Sequence, residues 1–302
     1  HAGEPSIGIH SADLARRGLR AGQLVHVESR RGRVTVAVQS DDSLQPGTAS
    51  LAMHWGARLL GGADAAGVNA LTLPVCDPVS FQPELKHCGV RVVPAKLEHR
   101  LVAFASARDA DAVRLLGAAS ELLGRFKYGH CLMLPGAEAG VLLRVADASP
   151  IAKLMLDVID DLFRVNRHDT LRYDDPRLGV SRRVAIADDR ICAVRLSGDL
   201  TPEAWLKELF VSGKSVAGMR HRLLAPAMPA GAPSRGGIVC SCFNVAQADI
   251  VSSLARHRGG DALAALQREL KCGTQCGSCV PEVKQLIAAS VATMPDIHGA
   301  VA

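Results

Sequence analysis

The alternation of apolar and polar residues over the first ninety-odd positions predicts a β-rich domain. Extended runs at residues 24–29 and 34–38 flank a polar turn at 30–33, which is the pattern of a β-hairpin. Another short strand is expected at 90–93. Several short strands separated by turns at this spacing suggest a small barrel.

Beyond residue 97 the pattern becomes mixed, and residues 98–224 are predicted to form an α+β region. Apolar residues recur three and four positions apart at 111–126 and 150–165, which predicts amphipathic helices. The acidic pair Asp160 and Asp161 is expected on the solvent-facing side of the second helix. Further strands are expected at 101–107, 141–145, 183–187 and 191–196, followed by a helix from 201 to about 211.

Composition narrows the classes of protein that this chain could represent. The 302 residues are enough for two or three domains, and no run of 18 apolar residues could span a membrane. Aromatic residues make up only 3% of the chain and the basic residues are scattered, which argues against nucleic-acid binding. Nine cysteines without a secretory signal favour the cytoplasm. The chain starts at His1, so a fragment of a longer protein is expected.

The most specific chemical pattern is a set of four cysteines near the C-terminus. One residue separates the first two, two residues separate the last two, and 33 residues lie between the pairs: Cys240, Cys242, Cys276 and Cys279. Four thiolates can hold a 2Fe–2S cluster, and zinc accepts the same number of ligands. A single intervening residue is unusual for a zinc ribbon, which favours the cluster and leaves zinc as the alternative.

Two helices are expected between these pairs, at 246–256 and 261–270, and a third begins near Pro281. With these flanks, residues 236–290 resemble the bacterioferritin-associated-ferredoxin (BFD) type of 2Fe–2S domain. Cys272 is a fifth thiol, expected to be a partly buried neighbour of the site. Its alternative role is that of a ligand in a shifted register. His130 and Cys131, in contrast, are expected to be a packed interior or loop pair rather than a metal site.

The β-rich region contains a second set of motifs. These lie at residues 22–32, 46–47, 53–55, 69–72 and 77–86. Together they resemble the dinucleotide-binding domain of molybdopterin oxidoreductases over residues 3–94. The resemblance implies a double-psi β-barrel that closes over molybdenum bis(molybdopterin guanine dinucleotide). It also implies Asn69 and Lys86 as cofactor contacts. His54, beside Trp55, is a third candidate, with a structural hydrogen-bonding role as the alternative.

The combination resembles the C-terminal portion of a bacterial assimilatory nitrate reductase catalytic subunit. It implies reduction of nitrate to nitrite, a 2Fe–2S electron entry point, a flavoprotein or ferredoxin-type donor, and a 4Fe–4S cluster in a preceding part of the protein. No catalytic residue is assigned, and the fragment alone is expected to be inactive. A formate dehydrogenase-like oxidoreductase with an appended cluster and a non-enzymatic iron–sulfur carrier remain alternatives.

These features divide the chain into five predicted segments. They are a molybdopterin dinucleotide-binding barrel at 1–97, the α+β region at 98–224, a Pro-, Ala- and Gly-rich linker at 225–237, a small helical 2Fe–2S domain at 238–292 and a tail at 293–302.

Overall fold

The computed structural model describes residues 4–62, 67–83, 86–107, 109–134, 139–167, 169–226, 238–240, 242–243, 245–256 and 261–292. The chain divides into two compact units, Ala2–Met228 and Pro229–Ala302. Residues 227–237 of the predicted linker and all of the predicted tail lie outside the described residues.

The first part of the larger unit contains a five-stranded sheet with the order β4-β1-β3-β2-β6. The elements here are β1 (Ser6–Ile9), α1 (Ser11–Arg17), β2 (Leu24–Glu28), β3 (Arg33–Ser40), β4 (Ala49–Leu51), β5 (Leu60–Gly61) and β6 (Arg91–Pro94). The predicted hairpin is confirmed, because β2 and β3 pair antiparallel with Leu24 opposite Ala37. Val34 and Val36 are buried on one face of β3, so the alternation in the sequence matches the side that packs against the core.

The second part contains a seven-stranded sheet with the order β10-β11-β12-β7-β9-β8-β5, in which each pair of neighbours is antiparallel. Its elements are β7 (His99–Ser106), α2 (Asp109–Leu122), β8 (Tyr128–Leu134), β9 (Gly140–Asp147), α3 (Lys153–Leu162), β10 (Asp169–Asp175), β11 (Val180–Ala187), β12 (Arg190–Ser197) and α4 (Glu203–Ser212). The short strand β5 comes from the first part of the unit and pairs with β8.

Apolar side chains cover both faces of the seven-stranded sheet. Leu101 and Ala103 of β7 belong to a core that includes side chains from α2 and α3. Val102 and Phe104 alternate with these two residues along β7. They belong to a second core, which includes Leu206 and other side chains of α4. A central strand buried on both faces therefore reads as a continuous apolar run, Leu-Val-Ala-Phe-Ala, in the sequence.

Besides the two-residue strand β5, two strands of this sheet were not predicted from the sequence. Strand β8 contains Gly129 and the buried His130, which interrupt an apolar strand pattern. Strand β10 is a polar edge strand whose seven residues pair fully with β11, although its sequence, DTLRYDD, has little apolar alternation. Backbone pairing with a neighbour, rather than a local pattern, determines both strands.

The expectation that Asp160 faces solvent is wrong. Its side chain is buried, and Arg195 of β12 donates two hydrogen bonds to its carboxylate, from Nε at 2.8 Å and from Nη2 at 2.9 Å. Asp161, the next residue, is exposed as expected. Helix α3 therefore turns one acidic residue of the pair into the interior, because a buried arginine from the sheet compensates its charge.

The smaller unit consists of a two-stranded sheet and three helices within the described residues. They are β13 (Ile238–Cys240), β14 (Val245–Ala246), α5 (Gln247–Arg256), α6 (Ala262–Leu270) and α7 (Val280–Ala292). Ile250, Leu266 and Val283 contribute one buried side chain from each helix to a common core. Asp261 caps α6 by accepting a hydrogen bond from the backbone N–H of Ala264 at 3.1 Å. The three predicted helices of this unit are thus present.

Taken together, the described residues have a mixed α/β fold, which confirms the predicted class at that level. In the described part of the chain, no helix is both long and apolar enough to cross a bilayer.

Candidate functional site

The cysteines of the smaller unit lie in two loops. Cys240 ends β13, and Cys242 lies in the turn that leads to β14. Cys276 and Cys279 lie in the loop that joins α6 to α7, and α7 begins at the residue after Cys279. The helical core holds the two loops together, so residues separated by more than thirty positions become neighbours.

The four thiols form two close pairs that differ in burial. The sulfur atoms of Cys242 and Cys276 are 3.3 Å apart, and both residues are exposed. Cys240 and Cys279 are only 2% and 5% exposed. Burial raises the pKa of Cys279 to about 11, and a side-chain hydrogen bond with Cys240 adds to this shift. One pair therefore borders solvent, whereas the other faces the interior of the unit.

The loop between the last two cysteines bends back onto the sulfur of Cys276. The side-chain oxygen of Ser278 lies 3.0 Å from Cys276 Sγ. Gly277 has a φ of +73°, a left-handed conformation that a residue with a side chain rarely adopts. Hydrogen bonding by the Ser278 side chain, and then by its backbone, lowers the pKa of Cys276 to about 7. A thiolate, which is the form that binds metals, is thus favoured here.

Cys272 is the fifth thiol of this region, and it is completely buried. Its sulfur contacts the backbone carbonyl oxygen of Leu266 at 3.8 Å, and burial raises its pKa. The prediction that Cys272 is a packed thiol rather than a ligand agrees with this environment, but its role stays a prediction.

The donor set fits a 2Fe–2S cluster. Thiolates are the soft ligands that iron–sulfur clusters require, and four of them complete one such centre. In the described ranges, no three His, Cys, Asp or Glu side chains converge on a position for a single ion. The thiols instead form two pairs, an arrangement suited to a centre whose four ligands are shared between two irons.

The candidates in the larger unit are exposed side chains. Asn69 lies in a 3-10 turn, Val68–Leu71, where its backbone carbonyl accepts hydrogen bonds from the backbone and hydroxyl of Thr72. Lys86 and His54 are also exposed, and the His54 ring lies 5.7 Å from that of Trp55. Among the described residues, no hydrogen bond or ring contact joins these three candidates to one another. The structure leaves their side chains accessible to a ligand.

Close backbone packing positions the turn that contains Asn69. A Cβ atom added to Gly32, in the β2–β3 turn, would lie 2.9 Å from the carbonyl oxygen of Ala70. Gly67, which precedes the 3-10 turn, has a φ of +72°, and a Cβ atom there would lie 2.9 Å from the backbone nitrogen of Ala57. The two glycines allow three backbone segments to meet behind Asn69, so that its side chain is presented from a rigid support.

The segment between Asn69 and Lys86 combines a structured turn with exposed apolar side chains. Asp77 Oδ1 accepts hydrogen bonds from the backbone N–H groups of Val79 and Ser80 and from the Ser80 hydroxyl, as expected of a turn-forming aspartate. Val79 is 86% exposed and Phe81 is 76% exposed. Exposed apolar residues of this size, close to polar groups, are typical of a surface that binds a ligand or another domain. Val79 and Phe81 thus leave apolar surface uncovered in the segment that runs from Asn69 to Lys86.

A cavity of about 250 Å³ near the Asn69 turn was not foreseen from the sequence. Its lining includes Gly67 together with Arg33 and Lys127. Lys127 comes from the segment before β8, which the sequence pattern did not assign to any element. The one local sequence feature that could have indicated this cavity is the density of glycines at 61–67. Glycines allow backbone segments to approach closely, but they do not identify the segment that approaches.

Comparison with protein families assigns a class to each of these two regions. Residues 1–89 match the molybdopterin dinucleotide binding domain, and residues 238–289 match the BFD-like [2Fe-2S] binding domain. Both predicted domain types are thereby confirmed. They support molybdenum bis(molybdopterin guanine dinucleotide) and a 2Fe–2S cluster as cofactors.

Individual relatives extend the similarity across most of the chain. The nitrate reductase of Klebsiella oxytoca is 28% identical over 314 aligned residues, which cover 97% of this chain and 31% of that protein. The assimilatory nitrate reductase catalytic subunit of Bacillus subtilis is 32% identical and is matched over 30% of this chain and 12% of its own length. The large subunit of the NADH nitrite reductase of Escherichia coli is 29% identical over 40% of this chain and 15% of its own. The chain therefore spans about a third or less of these relatives.

Proposed function

We propose that this chain is the C-terminal part of the catalytic subunit of a molybdenum-dependent nitrate reductase. In the complete protein it closes over the molybdopterin guanine dinucleotide cofactor and provides the 2Fe–2S site through which electrons enter. The chain spans about a third or less of the nitrate reductases that it matches, so nitrate reduction is proposed for the complete protein rather than for this part alone.

The observation that supports this proposal most strongly is the extent of one alignment. The Klebsiella oxytoca nitrate reductase aligns over 97% of the chain. That coverage includes the residues between the two family matches, so the similarity concerns their combination and order rather than one common module. A formate dehydrogenase-like enzyme and an iron–sulfur carrier stay the alternatives.

Within this proposal, the chain's own residues hold and orient the two groups. Cys240, Cys242, Cys276 and Cys279 would provide the four thiolates of the cluster site, while Cys272 stays a packed neighbour. Asn69 and Lys86 would contact the dinucleotide. The amide of Asn69 is suited to hydrogen bonding with a guanine or pterin edge, and the ammonium of Lys86 is suited to a phosphate. His54 is the third candidate contact. When bound, these cofactors supply one-electron transfer and the two-electron reduction of nitrate to nitrite.

We also propose the division of the chain into domains. We place a double-psi β-barrel at 1–97, the α+β region at 98–224, a linker at 225–237, a helical cluster domain at 238–292 and a tail at 293–302. The parallel pairing of β1 with β3, next to the antiparallel pair of β2 and β3, is incompatible with a simple meander and fits the crossed connections of such a barrel.

The donor is proposed to be a flavoprotein or a ferredoxin-type protein, because each can deliver single electrons to an iron–sulfur site. A cytoplasmic location is proposed as well. All nine cysteines lie within the described residues and none forms a disulfide, as expected in a reducing compartment.

Metal analysis of the chain and an activity assay of the complete enzyme test the proposal. The 302-residue chain, purified anaerobically, should contain about two irons and two labile sulfides and give a rhombic S = 1/2 signal when reduced. The complete enzyme should form nitrite from nitrate with a reduced viologen as donor. Stoichiometric zinc without iron in the chain would contradict the cluster assignment, and formate oxidation without nitrate reduction would favour the alternative oxidoreductase.

A further inference from the structure

Ser278 is the one hydroxyl side chain that contacts a thiol of the cysteine site in the described part of the chain. Its oxygen lies 3.0 Å from the sulfur of Cys276, within hydrogen-bonding distance for a sulfur partner. Neither the family matches nor the four-thiolate pattern assigns a role to this residue.

The loop geometry makes this contact specific. Gly277 has a left-handed backbone with a φ of +73°, which turns the chain between Cys276 and Ser278 back toward the sulfur. The Ser278 hydroxyl is thereby directed at the sulfur of Cys276 from the loop that leads into α7.

The direction of the hydrogen bond follows from the chemistry of the ligand. A cysteine that coordinates a metal does so as a thiolate without a proton, so the hydroxyl of Ser278 must be the donor and the sulfur the acceptor. A donated hydrogen bond stabilises negative charge on the sulfur. Reduction of the site adds one negative charge, so the hydrogen bond stabilises the reduced form more than the oxidised form.

We propose that Ser278 is a positioning residue of the cysteine site that raises its reduction potential through the hydrogen bond to Cys276. This inference rests on the proposed function, in which Cys276 is a ligand of the 2Fe–2S cluster. A higher potential makes the site a better acceptor of single electrons from the donor.

A matched set of variants in the full chain tests this proposal. Ser278→Thr and Ser278→Val are both β-branched and of similar size, and only the first keeps a hydroxyl. Thr274→Val is the control in the same loop, because its hydroxyl donates to the backbone oxygen of Lys271 at 2.7 Å and contacts no sulfur. The midpoint potential is measured by a redox titration followed by electron paramagnetic resonance, with iron and sulfide content determined for each protein.

Ser278→Val and Ser278→Ala are expected to keep the cluster and to lower its midpoint potential. Ser278→Thr and Thr274→Val are expected to keep the wild-type potential. An unchanged potential in Ser278→Val, or an equal decrease in Thr274→Val, would overturn the proposal.

Cys276→Ser separates this inference from the cluster assignment on which it rests. If this variant loses the cluster while Ser278→Val keeps the wild-type potential, the inference on Ser278 is wrong and the cluster assignment stands. If Cys276→Ser keeps an unaltered cluster, both are wrong.

Discussion

Individual residues of the cysteine region differ mainly in what surrounds their sulfur atoms. Cys272 is completely buried and its sulfur contacts a backbone carbonyl, whereas Cys242 and Cys276 are exposed and face each other at 3.3 Å. Burial alone does not separate the proposed ligands from the packed thiol, because Cys240 and Cys279 are also buried. Sulfur–sulfur proximity favours the two pairs as ligands, and the role of Cys272 stays a prediction.

Serine substitution of each thiol tests this distinction. Cys272→Ser is expected to retain the cluster, because its sulfur is not part of either thiol pair. Serine at 240, 242, 276 or 279 is expected to abolish or strongly destabilise the cluster, since a hydroxyl is a poor replacement for a thiolate. Iron and sulfide content of each purified chain gives the result. Cluster loss in Cys272→Ser, with retention in Cys276→Ser or Cys279→Ser, would show that the ligand register is shifted.

His130, expected from the sequence to belong to a packed interior or loop pair, is a buried residue whose surroundings determine its protonation. It is 1% exposed, and its Nδ1 lies 2.8 Å from the hydroxyl of Tyr128. Burial lowers the pKa of His130 to about 3, and the carboxylate of Glu4 only partly opposes this shift. The imidazole is therefore neutral in the folded protein at all ordinary pH values.

The depressed pKa predicts a pH dependence of stability. In the unfolded chain His130 gains a proton near pH 6.5, whereas in the folded protein it does so only near pH 3. The unfolded state binds more protons in that window, so the contribution of His130 is complete above pH 6.5 and is lost as the pH falls toward 3. Urea unfolding followed by tryptophan fluorescence measures this, because both tryptophans, Trp55 and Trp205, lie in the larger unit.

The decrease in unfolding free energy between pH 7 and pH 4 should be smaller in His130→Leu than in the wild type. Tyr128→Phe is the matched control, because it removes the hydroxyl partner and leaves the imidazole buried, so its pH dependence should resemble that of the wild type. Parallel pH profiles for His130→Leu and the wild type would contradict the prediction.

At the scale of elements, a buried ion pair joins helix α3 to the seven-stranded sheet. The side chains of Arg195 in β12 and Asp160 in α3 are 1% and 4% exposed. Arg195 Nη1 also donates to the hydroxyl of Ser181 in β11 at 2.6 Å. One arginine thus connects a helix with two strands, and each charge depends on the other for compensation.

Removal of one partner of this pair should be strongly destabilising. Asp160→Asn is expected to lower the unfolding free energy by about 3–5 kcal/mol, because it leaves the Arg195 charge buried and uncompensated. Asp157→Asn on the same helix is the control, since its ion pair with Lys153 is exposed and such pairs contribute about 1 kcal/mol or less. Replacing both buried partners, as in Asp160→Leu with Arg195→Met, should recover much of the loss. Equal effects of the Asp157 and Asp160 variants in urea unfolding would show that the pair is not a major contributor.

For the whole molecule, the two family matches lie in different compact units. The dinucleotide-binding match is in Ala2–Met228 and the 2Fe–2S match is in Pro229–Ala302. Each unit has its own apolar core. The two proposed cofactor sites should therefore respond separately to substitutions.

Substitutions at the proposed dinucleotide contacts test this separation. In the complete enzyme, Asn69→Ala and Lys86→Ala are expected to reduce molybdenum content while the 2Fe–2S signal is retained. Loss of a hydrogen bond to a charged group costs about 1.5–3 kcal/mol, or roughly ten- to a hundredfold in affinity. The cofactor has many other contacts, so partial loss is expected. Lys214→Ala, an exposed lysine outside the predicted barrel, is the control. Wild-type molybdenum content and nitrate reduction in both variants would remove these residues from the site.

Local chemistry let the sequence alone determine several features of this protein. The β2–β3 hairpin and the helices of the smaller unit follow from periodicity, capping residues and turn residues, all of which act over a few positions. The cysteine spacing and the motifs from Asn69 to Lys86 indicated the two domain types through their resemblance to known families.

Only the tertiary structure decided the features that depend on distant neighbours. Strand β10 exists because β11 offers it a backbone partner, and Asp160 is buried because Arg195 approaches from the sheet. The difference in burial between the two thiol pairs likewise comes from the packing of three helices and two loops. Desolvation and charge compensation are set by surroundings that residues far apart in the chain create together. A pattern along the sequence identifies the polar and titratable side chains, but it does not contain the environment that determines their burial and charge.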